Sequence, residues 1–431
     1  MIYINILIIT TCYPPVNVSG SIRSLYYANY MAKLGHKVSV LTVDFPNQFS
    51  NYDKSLENRI DESIKVYRCG LGILYNKFYQ KKEENINRTA QINQKSKENI
   101  KSKLRREIKS YLAIPDSYMV WKNSASKLGI DIIKSDKIDL IFSMHETPSS
   151  HLVAYNLKQK FQNVRWVAYW SDPWTFDPNR SEIPYIRKQI EKIMEKKVVK
   201  LAEKHFFTTK ECMKLYREKF IIDKNNADIV YRGYDDNLYK HINSDDMPKE
   251  INKDKINILH AGEIFTKLRD INPFIRAIRD IKHNNIELYK KLNIILLGGI
   301  DNIDNVEKFD DLDIINLLPR KSFDEALKYM NFSDVLLLFG NKNSNQMPGK
   351  VYDYLGTDKA IFTILGDQQD PLKLFMKEIE RGPICENRSN ELKSEIINIL
   401  SRGFKKEWTC RSNKFEWTNV VQDLLSKLEN I

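Results

Sequence analysis

The sequence predicts an α/β protein made of two domains in tandem, each a parallel sheet covered by helices. Three observations carry this. The apolar runs are short, rich in β-branched and aromatic residues, and continuous rather than alternating, as in strands covered on both faces. Helical patterns separate them, and strand–helix–strand order implies parallel strands joined by right-handed crossovers. The same grammar starts again near Lys255, and 431 residues exceed what one ordinary core holds.

In the first half the expected strands are NILIIT, KVSVLTV, IKVYRCG, DLIFSMH, RWVAYW and KHFFTT. The opening MIYINILIITTCYPP lacks a basic leader and a small-residue cleavage site, so it is expected as a first buried strand rather than a secretion signal. Between the first two strands, Ile22, Leu25, Tyr26, Met31 and Leu34 form the apolar face of a helix, and Gly35 supplies its stop. Residues 77–109 form a polar insertion with eleven Lys or Arg against four acids, +7 of the chain's net +12. Ile100, Leu104, Ile108 and Leu112 recur every four residues and predict a helix in its later part.

The charged stretch DDNLYKHINSDDMPKEINKDK reads as a linker. After it come five more expected strands, KINILHAG, NIILLGG, DIINLLP, SDVLLLFG and KAIFTILG. In the last segment, Trp417, Val420, Val421, Leu424, Leu425 and Leu428 mark an amphipathic helix. The implied domains are 1–235 with 411–431, and 236–410.

Hydrophobic content of 42% and charged content of 29% suit a soluble globular protein. No apolar run approaches the roughly eighteen residues that span a bilayer. The five cysteines are odd in number, scattered and without metal-ligand or redox spacing, so a reducing cytoplasm and no metal site are expected. The basic balance suggests a polyanion: nucleic acid, an anionic membrane surface or a phosphorylated substrate. Nucleic acid fits least, because the basic segment has no aromatic residue for base stacking after Tyr79.

In an open parallel sheet, ligands bind beyond the carboxyl ends of the strands. After the first strand, TTCYPPVNVSGSIRS brings Gly20 to a helix start, where it lets backbone amides approach an anion or simply caps the helix. No glycine triplet and no phosphate-loop signature occurs. After DLIFSM, His145 and Glu146 stand at a strand end facing the expected cleft, for a ligand contact or for local hydrogen bonding, and Ser149 or Ser150 is the expected N-cap. After RWVAYW, Asp172 stands between Trp170 and Trp174, a candidate base whose pKa burial would raise, or an ordinary Asp-Pro turn.

In the second half, HAGEIFTKLRDINPF sets Gly262 beside Lys267 and Arg269, which suits a diphosphate or a solvated basic loop. In NQMPGKVYDYLGTDKAIF, Gly349 permits a tight loop and the helix from Lys350 aims N–H groups at an anion. Asp353, one turn on, is placed to accept hydrogen bonds from ribose hydroxyls. Phosphate at the helix start and ribose one turn along match a nucleoside diphosphate.

Taken together, TTCYPPVNVSGSIRS, IPDSYMVWKNSA, DLIFSMHETPSSHL, VAYWSDPWT, ILHAGEIF and NQMPGKVYDYLGTDKAIF resemble the glycosyltransferases with two facing Rossmann-like domains (GT-B), particularly the retaining, glycogen-synthase-like family four and its bacterial surface-polysaccharide members. The resemblance covers nearly the whole chain. It implies a UDP- or GDP-sugar donor, used as a co-substrate with no further cofactor, and a saccharide or polyprenyl-linked saccharide acceptor. It also implies capsule, O-antigen or exopolysaccharide assembly, and a last helix crossing back to the N-terminal domain. Carried over, Gly349 and Lys350 meet the donor phosphates, Asp353 the ribose, Lys267 and Arg269 the diphosphate, and Gly20 the phosphates from the other domain. Asp172 falls by the reacting sugar. The family's paired glutamates become Asn345 and Asp353, its usual arginine becomes Glu263, and its frequent histidine is replaced by Ser171-Asp172. A nucleotide-sugar epimerase or hydrolase of the same fold is the alternative. The basic insertion is expected to contact anionic headgroups at the inner face of the membrane.

Overall fold

A computed structural model describes residues 3–47, 49, 51–71, 113–177, 180, 183–301, 307–343 and 346–428. The insertion at 77–109, the helix expected in its later part and Asn345 lie outside the described residues. The chain divides into a first unit, Met1–Val230 with Val421–Ile431, and a second, Tyr231–Val420.

The first unit holds β1 (Asn5–Ile9), β2 (Lys37–Asp44), β3 (Lys65–Gly70), β4 (Leu140–Met144), β5 (Arg165–Trp170), β6 (Lys204–Phe207) and β7 (Ala227–Ile229). They form one parallel sheet in the order β3-β2-β1-β4-β5-β6-β7. The second unit holds β8 (Ile256–Ala261), β9 (Leu292–Leu297), β10 (Ile315–Leu318), β11 (Val335–Phe339), β12 (Ala360–Ile364) and β13 (Ile384–Cys385). These too are parallel, in the order β10-β9-β8-β11-β12-β13. All eleven expected strands are present. The two unforeseen ones, β7 and β13, are edge strands of three and two residues, too short to print a pattern.

Each order reverses once, between β1 and β4 and between β8 and β11. At such a point successive crossovers leave in opposite directions and open a crevice beyond the carboxyl ends. The central strands are built for burial on both faces: Ile6 to Ile9 of β1 and Val335 to Phe339 of β11 are all buried.

The helix Ser19–Lys33 ends as expected, with Gly35 at φ +94°, a left-handed value open to glycine. Two local expectations are corrected. The helix Pro148–Lys160 starts earlier than supposed, with Thr147 at its N-cap, so Ser149 lies inside the first turn. Its cap is Asp116, which accepts from Ser149 N (2.9 Å) and Ser149 Oγ (2.7 Å), while Ser150 Oγ accepts from Thr11 N. The supposed linker is packed: Tyr329 OH donates to Glu250 Oε2 (2.6 Å), Asn293 Nδ2 donates to Glu250 O (2.8 Å), and Lys328 pairs with Asp246. The last helix, Trp417–Leu428, buries all six residues of its expected apolar stripe, and the division between units falls within it. Among the described residues no helix is long and apolar enough to cross a membrane.

Candidate functional site

In the first unit the polar groups gather where the sheet order reverses. Arg23, one turn into the helix after β1, pairs with Glu146 beyond β4 through Nη2 and through Nε at 3.1 Å. Its guanidinium lies 5.4 Å from the centre of the Tyr169 ring. Gly20 sits against this pair, and a Cβ there would overlap the Glu146 carboxylate. A side chain at this position would have to displace the Glu146 carboxylate or shift the helix. Beyond β5, burial pushes Asp172 up to about 6, with Arg23 holding it down and Glu146 pushing it further up. Gly20, Glu146 and Asp172 thus come together around Arg23, which sequence reasoning had passed over.

His145 does not join them. Its ring stacks on His151 (centroids 5.3 Å, planes 19° apart) and packs beside Trp170 and Trp174. Burial, and secondarily Arg180 and Arg23, lower its pKa to about 3, so it is neutral at physiological pH. Neither ring nitrogen has a hydrogen-bond partner among the described residues. The loop behind Asp172 is fixed by buried acids. Glu191 accepts from Trp174 Nε1 (2.9 Å) and Arg187 Nε (2.8 Å) and pairs with Arg180. Glu195 accepts from Tyr216 OH (2.5 Å) and from Thr175.

In the second unit the reversal between β8 and β11 gathers cations. Lys350 opens the short helix Lys350–Leu355, and its Cγ lies where a Cβ on Gly262 would be 3.7 Å away. Its ammonium stands 3.5 Å from Asp353 Oδ2, while Arg232 Nη2 donates to Asp353 Oδ1 at 3.2 Å. Burial lowers the Lys350 pKa; Asp353 opposes this and the charges of Arg232 and Arg320 add to it. Arg269 donates to Glu263 O (2.8 Å) and Asn341 Oδ1 (3.2 Å), and burial lowers its pKa. Burial raises the Glu263 pKa, against the pull of Arg320 and Arg269. Lys267 stands exposed on the same turn.

The helix is held in place by Tyr354 OH, which accepts from Ala261 N at 2.8 Å. Within its first turn, Val351 N and Tyr352 N are already spent on Pro348 O and Gly349 O. The expected anion site therefore relies on side-chain cations more than on the helix amides. Four cations, Arg232, Arg269, Arg320 and Lys350, share this region with Glu263, Asp353 and Asp370. Burial pushes Asp370 up to about 6, and its oxygens accept from Gly366 N (2.8 Å) and Leu372 N (3.0 Å). The balance favours an anion.

Three of these groups were missed in the sequence. Arg320 stands two residues past β10 and obeys the same strand-end rule that found Lys267. Arg232 comes after β7, which left no readable pattern. Arg23 is one helical turn from Gly20 and shares its face, a signal of spacing alone.

No family model matches the chain, and no curated protein matches it in sequence. Solved structures do match, over the full length and at low identity. Alr3699/HepE of Anabaena, solved with UDP, is 12% identical, with 100% of each chain covered and a TM-score of 0.64. Sucrose-phosphate synthase of Thermosynechococcus elongatus is 13% identical, covering 99% of this chain and 98% of its own, at 0.66. A UDP-N-acetylglucosamine 2-epimerase is 10% identical, covering 99% and 96%, at 0.55. Likeness at this identity establishes the fold: two Rossmann-like domains of GT-B type.

Proposed function

We propose that this chain transfers a sugar from a nucleotide-sugar to a hydroxyl acceptor. The observation that carries the reading is the group of Arg232, Arg269, Arg320 and Lys350 around Gly262, at the order reversal of the second sheet. When a glycosyl bond to a nucleoside diphosphate breaks, negative charge develops on the leaving phosphate. Preorganised cations in a partly desolvated crevice stabilise that charge without having to reorganise. Lys350 and Arg269 meet the diphosphate, with Lys267 at its edge, Gly262 and Gly349 giving room, and Asp353 oriented by two cations toward the ribose. The second unit, Tyr231–Val420, binds the donor, and the first, Met1–Val230 with Val421–Ile431, binds the acceptor, with Asp172 and Glu146 beside it.

The finer reading follows the resemblance: a retaining, family-four-like hexosyltransferase working without a metal in the cytoplasm. Its acceptor is a saccharide or polyprenyl-linked saccharide, used in capsule, O-antigen or exopolysaccharide assembly. UDP, which Alr3699/HepE holds, is the first nucleotide to try.

A panel of UDP, GDP, ADP and CMP with the common UDP- and GDP-sugars, read by thermal shift, tests the donor. A ligand at a hundred times its Kd adds about 2.7 kcal/mol to stability, which such a scan detects. A shift with one nucleoside diphosphate supports the reading and names its base; no shift with any member rejects it. The epimerase likeness supports a second reading. Donor incubated without acceptor would then yield an isomer or free sugar, which a transferase does not produce as its main product.

A further inference from the structure

The helix Tyr185–Leu201 of the first unit sorts its charges by face. Its two acids, Glu191 and Glu195, are 1% and 0% exposed, and both are consumed by the buried network behind Asp172. Its five lysines, Lys188, Lys192, Lys196, Lys197 and Lys200, have no ion-pair partner among the described residues, and the last three are exposed. Between them stand Tyr185 (76% exposed), Ile186 (65%), Ile190 (38%) and Ile193 (59%). These are four of the nine large apolar side chains exposed among the described residues, so one helix collects nearly half of them. Steps of four and three align Ile186, Ile190 and Ile193 in one stripe, which Lys197 continues and Lys196 and Lys200 flank.

We propose that this face docks on an anionic lipid surface. The isoleucines and Tyr185 enter the headgroup boundary, and the lysines lay their stems along the stripe and place their charges among lipid phosphates. A helix of 17 residues, about 25 Å long, presents the stripe as one line. Other occupants fit less well. A second copy of the same face would set five lysines against five. A nucleic acid backbone answers the lysines but gives the isoleucines nothing to bury against. An aliphatic stripe bordered by lysines, on a helix whose own two acids are buried, is complemented by a surface both apolar and negative. This surface is separate from the proposed donor site, and neither proposal depends on the other.

The test is flotation of the full chain with vesicles of phosphatidylcholine alone and with phosphatidylglycerol added, at low and high salt. It needs no activity, so its failure leaves the donor reading untouched. Binding is expected only to the phosphatidylglycerol vesicles and is expected to weaken with salt. The variants K196Q/K197Q/K200Q and I186Q/I193Q alter exposed positions only, and a thermal melt checks that they fold. Each is expected to lower partitioning by about tenfold or more. Four results overturn the proposal: no vesicle binding by the parent; binding unchanged in both variants, which moves the contact to another segment such as 77–109; binding lost only in the lysine variant, which leaves the stripe without a role; or concentration-dependent self-association that I186Q/I193Q abolishes in the absence of vesicle binding.

Discussion

Arg232 Nη2 donates to Asp353 Oδ1 at 3.2 Å, and the two side chains are only 4% and 9% exposed. Lys350, on the other carboxylate oxygen at 3.5 Å, is 33% exposed. Asp353 is thus held mainly from its buried side. Removing one partner of a buried pair strands the other charge, at a cost of about 3–5 kcal/mol, whereas a lysine one-third exposed at a longer distance contributes less to stability. Asp353→Ala is expected to destabilise the second unit by about 3 kcal/mol, and Lys350→Ala by less than about 1. Arg232→Met combined with Asp353→Leu should cost less than the sum of the singles. Urea unfolding followed by a probe in the second unit decides this; equal losses for Asp353→Ala and Lys350→Ala would remove the distinction.

Lys350 and Arg269 both carry a pKa lowered by burial, so in the free protein each charge is incompletely solvated. An anion that restores its partner gains affinity from that deficit. A charged hydrogen bond contributes about 1.5–3 kcal/mol, so Lys350→Ala and Arg269→Ala should each weaken nucleoside diphosphate binding about tenfold to a hundredfold. Calorimetric titration measures it. The free protein should lose little stability in Lys350→Ala, which separates lost binding from lost folding. Affinity unchanged in both variants would place the phosphates elsewhere.

Asp172 makes a prediction in pH. Its folded pKa is raised from 3.8 to about 6, chiefly by burial, with Glu146 and Asp177 adding to the rise and Arg23 opposing it. Between these values the native state binds more protons than the unfolded one, so stability falls as pH climbs from about 4 to about 6 and stays lower above. Asp172→Asn removes the titration. The variant is expected to be more stable than the parent by about 1–3 kcal/mol at pH 7.5, with the gap closing toward pH 4. Melting curves across that range check the sign; a gain of constant size at all pH values would show that packing, not charge, is responsible.

How far the sequence could be read follows from what each residue depends on. The strands β4, β5 and β8 were legible because burial on both faces demands an unbroken apolar run, and their ends then located Glu146, Asp172 and Gly262. Side-chain direction was not legible. His145 and Glu146 are neighbours in the chain, yet one ring packs into the core against His151 while the next carboxylate pairs with Arg23. Nothing local distinguishes them, because His151 and Arg23 are brought there by two different helices. Arg232 was hidden for a related reason: its position depends on β7, an edge strand paired through only three residues with β6.

Gly20 gives the last prediction, because its neighbour is protein rather than ligand. A Cβ at this position would overlap the Glu146 carboxylate, which Arg23 holds in place. Either the ion pair shifts or the helix Ser19–Lys33 moves off the sheet, and overpacking of this kind costs about 1–3 kcal/mol. Gly20→Ala should therefore destabilise the chain by that amount. If the clash with Glu146 is the cause, shortening that side chain should relieve it. Glu146→Ala alone is destabilising because it strands Arg23, a partly buried cation. Gly20→Ala added to Glu146→Ala should then cost almost nothing further, a coupling of about 1–3 kcal/mol in a double-mutant cycle. Additive losses would mean that the glycine is needed for its backbone or for an approaching ligand instead, and a nucleotide titration of Gly20→Ala would then be the measurement that tells those two apart.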